Sequence, residues 1–247
     1  MEQLFPTPVD DVDVMALYGA DARRMASDRP WVMCNMIASV DGGIAIDGVS
    51  GGLGGPGDKA VFGALRAIPD VIMVASGTVI AENYRKPQTP EAVQRTRLER
   101  GQTARPQIAI VSKSLRIEPT HRVFDPDARP LIITTTDADA DARRELGTVA
   151  DVITTGSGTV DLLAALESLR SRGVETVLLE GGPTLNGAFV DADLIDELCL
   201  SVSPMLLGGH SPRIVARSAN TAALDLRLDR TLHDDGALFH RYVRTRS

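Results

Sequence analysis

Residues 180–185 (EGGPTL) combine residue types that commonly bind phosphate groups. They follow an apolar run at 174–179, which predicts a buried strand. Proline is favoured at the first helical position, so a helix is predicted to begin at Pro183 and end at Asp191. The N–H groups at a helix N-terminus lack partners, and glycines let a ligand approach the backbone. The pattern predicts a pyrophosphate site, and the alternative is a tight turn capped by Thr184.

Two further loops follow predicted strands in the same way. Residues 76–79 (SGTV) come after the run 71–75, and residues 112–114 (SKS) come after the run 107–111. Two glycine-containing switch points at one sheet edge suit a dinucleotide. Lys113 is one of only three lysines among 26 basic residues. Flanked by hydroxyl groups, it suits a phosphate monoester such as the 2′-phosphate of NADP, and the alternative is an ordinary solvated loop lysine.

Two other segments each allow more than one interpretation. Residues 35–42 (NMIASVDG) form either a strand with an Asp-Gly hairpin turn or a chain that turns back over a nicotinamide with Asp41 nearby. Residues 52–57 (GLGGPG) match a dinucleotide fingerprint, but a lone match is weak. A P-loop is excluded because Asp58 precedes Lys59 and no Ser or Thr follows. The segment is therefore a flexible loop or a mobile active-site loop.

The composition excludes several classes of protein. The formal net charge is −7, from 26 basic and 33 acidic residues, and there is no basic block for nucleic acid. No apolar run approaches the about 18 residues that cross a bilayer, and the first residues do not resemble a secretion signal. The four histidines lack metal-ligand spacing. Cys34 and Cys199 are predicted to be buried reduced thiols. We expect a cytoplasmic protein that acts on a small molecule without a metal.

Short apolar runs alternate with helix-like segments, which predicts an α/β fold. Strands are predicted at 31–39, 71–75, 107–111, 131–135, 152–154, 174–179, 197–202, 224–228 and 237–243, and helices at 58–67, 78–83, 90–100, 138–146, 159–172 and 183–191. We expect a three-layer sandwich whose mixed, mostly parallel central sheet carries antiparallel C-terminal strands. Residues 1–30 are expected to be a leader packed on the body, and 31–247 a single domain.

Several motifs occur in an order typical of one family. They are SVDG at 39–42, SGTV at 76–79 with Glu82, EGGPTL at 180–185, DEL at 196–198 and PMLLG at 204–208. Over residues 31–244 the chain resembles the reductase domain of the bifunctional riboflavin-biosynthesis deaminase/reductase, which has the dihydrofolate-reductase-like fold. The deaminase domain is missing from the sequence, so the resemblance implies a stand-alone reductase. The resemblance also implies a homodimer.

The resemblance implies NADPH-dependent reduction of 5-amino-6-(5-phosphoribosylamino)uracil to its ribitylamino product. Together, the resemblance and the phosphate-loop patterns predict these cofactor-binding residues: Ala38, Gly52, Ser76, Gly77, Thr78, Val79, Ser112, Lys113, Gly181, Gly182, Pro183, Thr184 and Leu185. The predicted substrate-binding residues are Ser50, Arg66, Arg85 and Glu180, where Arg85 is a candidate partner for a substrate phosphate. Asp41 and Glu82 are the candidate proton donors.

The sequence departs from the family pattern at three places. Gly52 stands where the family often has tryptophan, Glu82 replaces an aspartate, and residues 83–87 (NYRKP) replace the usual phosphate-binding stretch. A roomier pocket would admit another pyrimidine or a pterin. Two alternatives therefore stay open: a dihydrofolate or dihydropterin reductase on the same fold, and an NADPH-binding protein without catalytic activity.

Overall fold

The computed structural model describes residues 1–23, 28–216 and 223–245. The chain divides into two compact units. The first unit comprises Met1–Arg23, Val32–Ile68 and Leu178–Ser247, and the second comprises Arg24–Trp31 and Pro69–Val177. The expected leader (1–30) and domain (31–247) include residues 24–27, 217–222 and 246–247, which lie outside the described residues.

The described residues contain the following elements in chain order. The strands are β1 (Glu2–Phe5), β2 (Trp31–Ser39), β3 (Val71–Ala75), β4 (Gln107–Val111), β5 (Leu131–Thr134), β6 (Asp151–Thr154), β7 (Thr176–Leu179), β8 (Glu197–Ser203), β9 (Leu226–Asp234) and β10 (Ala237–Arg244). The helices are α1 (Val14–Gly19), α2 (Pro56–Arg66), α3 (Ser76–Ala81), α4 (Glu91–Glu99), α5 (Ala140–Leu146), α6 (Leu162–Ser171) and α7 (Pro183–Asp191), with a 3₁₀ turn at Pro126–Ala128.

Several predicted bounds are confirmed, and the differences have local causes. β2, β3, β4 and α7 have the predicted bounds. α6 begins at Leu162 rather than at 159 because the Asp161 side chain accepts a hydrogen bond from the Ala164 N–H at 3.0 Å and caps the helix. α2 begins at Pro56, two residues before the predicted start, because proline is well suited to the first turn. β1, α1 and the second half of β9 were not predicted.

The strands of the first unit are mostly antiparallel. Their order is β1-β9-β10-β8-β2, where β1–β9, β9–β10 and β10–β8 are antiparallel pairs and β8–β2 is parallel. The parallel pair runs in register from Met33 opposite Glu197 to Ser39 opposite Ser203. Both strands therefore end at the same edge, where a ligand site is expected in a parallel sheet.

The second unit holds the parallel series β3-β4-β5-β6. The predicted α/β class, with a mixed, mostly parallel sheet and antiparallel C-terminal strands, is confirmed.

Aliphatic side chains form most of the core, as the low aromatic content requires. In the second unit Val74, Ile108, Ile110 and Ile132 belong to one buried cluster. In the first unit both cysteines are free and buried, as predicted. Burial raises the pKa of the Cys34 thiol to about 12, so this thiol stays protonated at neutral pH.

A buried carboxylate joins distant parts of the first unit. Glu197, at the start of β8, is fully buried and faces two guanidinium groups. Arg241 of β10 donates to Oε1 at 2.9 Å and to Oε2 at 3.1 Å, and Arg23 donates to each oxygen at 3.0 Å. Burial disfavours the charged form, but the two arginines outweigh it and lower the pKa of Glu197 to about 2. Glu197 is therefore an ionised anchor.

The same network extends to the N-terminal segment. Asp21 accepts hydrogen bonds from Arg230 of β9 at 3.0 and 2.7 Å and lies 3.2 Å from Nε of Arg241. Arg230 also stacks over the Tyr18 ring at 4.6 Å. The segment that carries α1 is thus tied by charge to β8, β9 and β10.

We predict that Arg241→Met destabilises the protein by about 3–5 kcal/mol, because it leaves the buried Glu197 charge with one partner removed. Urea unfolding measures the change in free energy. The exposed pair of Arg144 and Asp141 provides the matched control, and Arg144→Met is expected to cost at most about 0.5 kcal/mol. Equal effects of the two substitutions would contradict the anchoring role of Glu197.

Candidate active site

The middle of β2 is the accessible part of an otherwise buried strand. Asn35, Met36 and Ile37 are half-buried, whereas the residues on both sides of them are buried. An interior strand of a parallel sheet is normally covered on both faces. The centre of β2 is therefore the part of this strand that a ligand could reach.

Two predicted substrate-binding residues lie together in the first unit. Arg66, at the end of α2, donates to Glu180 through Nε at 2.7 Å and through Nη2 at 2.6 Å. The Glu180 side chain is 3% exposed and that of Arg66 is 25% exposed. A two-pronged guanidinium–carboxylate pair fixes both planes.

A stripe of three side chains follows α2 towards this pair. Asp58, Phe62 and Arg66 are spaced four residues apart, so they lie on one face of the helix, and all three are half-buried. The Arg66 guanidinium lies 4.1 Å from the centre of the Phe62 ring. Val61, Ala64 and Leu65 form the buried face beside the stripe. α2 therefore presents a carboxyl group, an aromatic ring and an ion pair in one row, here called the α2 stripe.

Asp58 has an unusual environment for a residue in the first turn of a helix. Ser201 of β8 is near enough to its carboxyl group to favour the charged form. A Cβ atom added at Gly54 would lie 2.5 Å from Asp58 Oδ2, so the carboxyl group rests against the glycine loop. Burial raises the pKa of Asp58 above its usual value, although Ser201 and Lys59 oppose the shift. From the sequence, this residue served only to exclude a P-loop.

The glycine fingerprint at 52–57 has a packing explanation. A Cβ atom at Gly57 would lie 2.6 Å from Asp234 Oδ2 and 3.0 Å from the Phe239 ring. The first turn of α2 therefore packs directly on β9 and β10, and only glycine fits there. A side chain larger than hydrogen at Gly52 would press on Ile46, whose Cδ1 atom lies 3.2 Å from the added Cβ.

Asp41, a candidate proton donor, holds two loops together. It accepts hydrogen bonds from the Ser39 hydroxyl at 2.5 Å, from the Gly208 N–H at 2.7 Å and from the Leu207 N–H at 3.1 Å. These bonds, the one from Ser39 first, lower the pKa of Asp41 to about 2. Asp41 is therefore ionised at neutral pH and holds no proton to donate there. The DG motif and the PMLLG motif meet at this carboxylate.

We predict that Asp41→Asn frees residues 207 and 208, because the amide replaces one acceptor oxygen with a donor that faces backbone N–H groups. Amide hydrogen exchange at Leu207 and Gly208 is expected to become faster. Asp47→Asn, an exposed aspartate in the same segment, is the matched control and is expected to leave both amides unchanged. Unchanged exchange in Asp41→Asn would contradict the anchoring role.

The N-terminus of α7 has the form that its sequence predicts. Gly182 is the N-cap, Pro183 opens the helix, and no side chain caps the N-terminus, so the interpretation with Thr184 as the cap is wrong. Gly181 has φ of +85°, a conformation that favours glycine. No side-chain cap occupies this end, so the first N–H groups of α7 are not paired with a capping side chain.

Asn186 is a further buried polar residue beside the same glycines. Its Nδ2 group donates to the Ile214 carbonyl at 2.8 Å and contacts the Met36 sulfur at 3.3 Å. Among the described residues, its buried Oδ1 atom has no hydrogen-bond partner. This atom is an acceptor, so it suits an N–H donor and not a phosphate oxygen. The resemblance implies a cofactor-lining role for residues 182–188, which include Asn186.

The second unit holds the other predicted cofactor loops. Residues 76–79 form the start of α3, which no side chain caps, and a Cβ atom at Gly77 would meet nothing within 4 Å. The buried Ser112 hydroxyl accepts a hydrogen bond from the Leu115 N–H at 3.0 Å and shapes the loop that carries Lys113. Lys113 is exposed and helps to lower the pKa of Asp137. The loop that follows β4 thus places the charged Lys113 side chain near the Asp137 carboxylate.

The remaining predicted residues occupy varied positions. Glu82 is the C-cap of α3 and is half-buried. Arg85 is exposed and donates to Gln88 at 3.1 Å. In the first unit, Ala38 is a buried residue of β2, and Ser50 is half-buried in the loop before α2. The structure brings Arg66 and Glu180 together, and the other candidates lie on strands, helix ends and loops of the two units.

The DEL motif at 196–198 is structural. Asp196 is 2% exposed and accepts a hydrogen bond from the Val32 N–H at 2.9 Å, which fixes the start of β2. Glu197 is the buried anchor described above. Within the described ranges, no three or more His, Cys, Asp or Glu side chains are grouped to hold a metal ion, and no helix is long and apolar enough to cross a membrane.

The fold is that of a known class of α/β protein. The structure superposes on a pyrimidine reductase-like protein from Corynebacterium diphtheriae NCTC with a TM-score of 0.86 and 24% sequence identity, covering 96% of this chain and all of the other. The profile of the RibD C-terminal domain matches residues 30–238. The chain belongs to the RibD C-terminal domain family, which confirms the resemblance found in the sequence motifs.

Two curated relatives are similar over most of their length. A protein of Methanothermobacter thermautotrophicus is 32% identical over 213 residues, which are 84% of this chain and 95% of the relative. A protein of Archaeoglobus fulgidus is 32% identical over 188 residues, 75% of this chain and 86% of the relative. Both are named 2,5-diamino-6-ribosylamino-4(3H)-pyrimidinone 5′-phosphate reductase.

Proposed function

We propose that this protein is an NADPH-dependent reductase of a ribosylaminopyrimidine 5′-phosphate in riboflavin biosynthesis. The observation that carries the proposal is the family match over residues 30–238, together with two relatives of that named activity that align over most of the chain. The reaction converts the ribosyl group, in its open imine form, to a ribityl group. A cytoplasmic location and a homodimer belong to the same proposal.

The site of the first unit supports a pyrimidine substrate. The carboxylate of Glu180, held in plane by Arg66, accepts N–H groups such as those on the edge of an aminopyrimidine. The Phe62 ring, beneath the Arg66 guanidinium, supplies an apolar surface beside this acceptor. Ser50 is a further proposed substrate contact of the first unit. Arg85, which belongs to the second unit, stays a candidate partner for the substrate phosphate.

The cofactor supplies a hydride, and this chain binds and orients it. The uncapped start of α7, from Gly181 to Leu185, is proposed to hold its pyrophosphate. Residues 76–79 of the second unit stay predicted cofactor-binding residues. Ala38, Gly52 and Ser112 complete the proposed lining, and Lys113 is assigned to the 2′-phosphate. Glu82 stays a candidate proton donor.

Turnover by the purified chain tests the proposal. With NADPH, we expect oxidation of the cofactor and addition of two hydrogen atoms to the pyrimidine, detected by absorbance and by mass spectrometry. The diamino-pyrimidinone and the deaminated uracil are compared in parallel, because the relatives are named for the first and the sequence motifs predict the second.

Two results would contradict the proposed substrate. Reduction of dihydrofolate without reduction of either pyrimidine would favour a pterin reductase. Tight binding of NADPH without turnover of any of these substrates would favour a protein that binds the cofactor without catalysis. Glu180→Gln is expected to raise KM for the pyrimidine, because the amide offers one acceptor oxygen fewer.

We predict that Lys113→Ala weakens NADPH binding more than NADH binding, because the lost cation faces the 2′-phosphate that only NADPH carries. Fluorescence titration measures both Kd values, and a loss of about tenfold for NADPH corresponds to about 1.4 kcal/mol. Lys59→Ala, another exposed lysine, is the matched control. An equal loss for the two cofactors would show that Lys113 does not contact the 2′-phosphate.

A further inference from the structure

His233 of β9 contacts two different parts of the first unit through its two ring nitrogens. Its Nδ1 atom lies 2.6 Å from Oε1 of Glu2, the residue of β1 directly opposite in the strand pairing. Its Nε2 atom accepts a hydrogen bond from the Gly236 N–H at 3.2 Å, in the turn between β9 and β10. The imidazole therefore joins an edge strand to a hairpin turn.

The contact with Gly236 defines the protonation state of the ring in this arrangement. A backbone N–H only donates, so Nε2 carries a lone pair and the ring proton is on Nδ1, where it faces the Glu2 carboxylate. A second proton would occupy Nε2 and place two donors opposite each other. Protonation therefore breaks the bond from Gly236, while it adds a positive charge beside Glu2.

We propose that His233 is a pH-sensitive switch. In its neutral form it joins β1 to the turn of the β9–β10 hairpin, and in its protonated form it pairs with Glu2 and releases the turn. Histidine is the side chain whose charge ordinarily changes between about pH 5 and 8. The switch acts on the conformation of the first unit, whichever substrate the protein reduces.

The strand β1 has few other contacts that could hold it in place. It has four residues, and its antiparallel pairing with β9 is irregular after Gln3. Leu4 and Phe5 are 44% and 41% exposed, so apolar burial contributes little to docking. Because His233 contacts Glu2 in both protonation states, β1 is expected to stay docked while the turn changes.

The turn that His233 releases has an uncommon backbone conformation. Asp235 and Gly236 connect β9 to β10, and their φ angles of +46° and +79° are typical of a type I′ turn. A left-handed conformation is less favourable for aspartate than for glycine, so contacts around the turn must stabilise it. The hydrogen bond from Gly236 to the imidazole is one of these contacts.

The same turn packs against the PMLLG motif. A Cβ atom added at Gly236 would lie 3.5 Å from Pro204 Cγ, which is ordinary van der Waals contact. The motif continues to Leu207 and Gly208, whose N–H groups Asp41 accepts. Release of the turn therefore loosens the packing at one end of a segment whose other end is anchored at Asp41.

Charged and titratable groups lie on each element around His233. In chain order they are the Met1 amino group, Glu2, Asp58, Lys59, Asp234, Asp235 and His240. The Met1 amino group is 3.9 Å from Asp234 and partly balances that carboxylate. His240 of β10 contacts the Thr231 hydroxyl at 3.0 Å, and burial lowers its pKa. Glu2, in direct contact with the ring, is therefore the group expected to favour protonation of His233 most.

A pH titration of the full chain by NMR tests the switch. As the pH falls from about 8 to about 5, the Cε1–H signal of His233 reports protonation of the ring, and the Gly236 amide signal reports its hydrogen bond. We expect both signals to change with the same midpoint. Protection of the Gly236 amide against hydrogen exchange, corrected for the intrinsic effect of pH, is expected to be about fivefold lower in the protonated form.

Three variants distinguish the switch from a general effect of pH. His233→Gln has no titrating ring, so it is expected to abolish the transition at Gly236. Glu2→Gln keeps an acceptor for the Nδ1–H but removes the charge, so it is expected to move the transition to lower pH. His240→Gln, on the neighbouring strand β10, is the matched control and is expected to leave the transition unchanged. The backbone amide spectrum checks that each variant folds.

Three results would overturn the proposal. The first is titration of the His233 ring in the wild type without any change at Gly236. The second is a transition at Gly236 that persists in His233→Gln. The third is a transition that keeps its wild-type midpoint in Glu2→Gln, because the ion pair would then have no part in the switch.

Discussion

The buried charge of Glu197 is the constraint on which the first unit depends. A carboxylate without solvent is stable only when it is paired, and here two arginines from distant parts of the sequence approach it in plane. Arg23 brings the N-terminal segment to β8, and Arg241 brings β10 to the same strand. Because β8 in turn pairs with β2 in parallel, the network fixes the frame on which the candidate site is built.

The position of α2 follows from that frame. Phe239 of β10 and Asp234 of β9 form the surface that admits only glycine at position 57, so the helix begins close to the sheet. This contact sets the depth of α2 against β9 and β10. At the end of the stripe, Arg66 and Glu180 join α2 to the start of α7. The chemistry proposed for the site thus depends on packing contacts far from its reacting groups.

Local patterns in the sequence predict much of the fold. The sequence predicted the exact bounds of β2, β3, β4 and α7. This was possible because an apolar run and a helix-opening proline are signals that lie within the segment itself. β1 and α1 were not predicted, since β1 is held by pairing with β9, more than 200 residues away, and its own sequence is not typical of a strand.

The candidate site was only partly predictable for the same reason. Family motifs indicated Arg66 and Glu180, but their direct ion pair depends on the distance between α2 and β7 in space. In the sequence analysis, the DG motif was a candidate for the nicotinamide site, and the DEL motif was part of the family pattern. In the structure, Asp41, Asp196 and Glu197 of these motifs serve as structural anchors. Asp58 was overlooked because its environment comes from Ser201 on a strand 143 residues later in the chain. The spacing of Asp58, Phe62 and Arg66 was the available signal.

A crystal structure of the protein with NADP⁺ and the ribitylaminopyrimidine product tests the account most directly. The account predicts the pyrimidine ring against Phe62, with its N–H edge on Glu180. A product bound away from the α2 stripe and from Glu180 would contradict it.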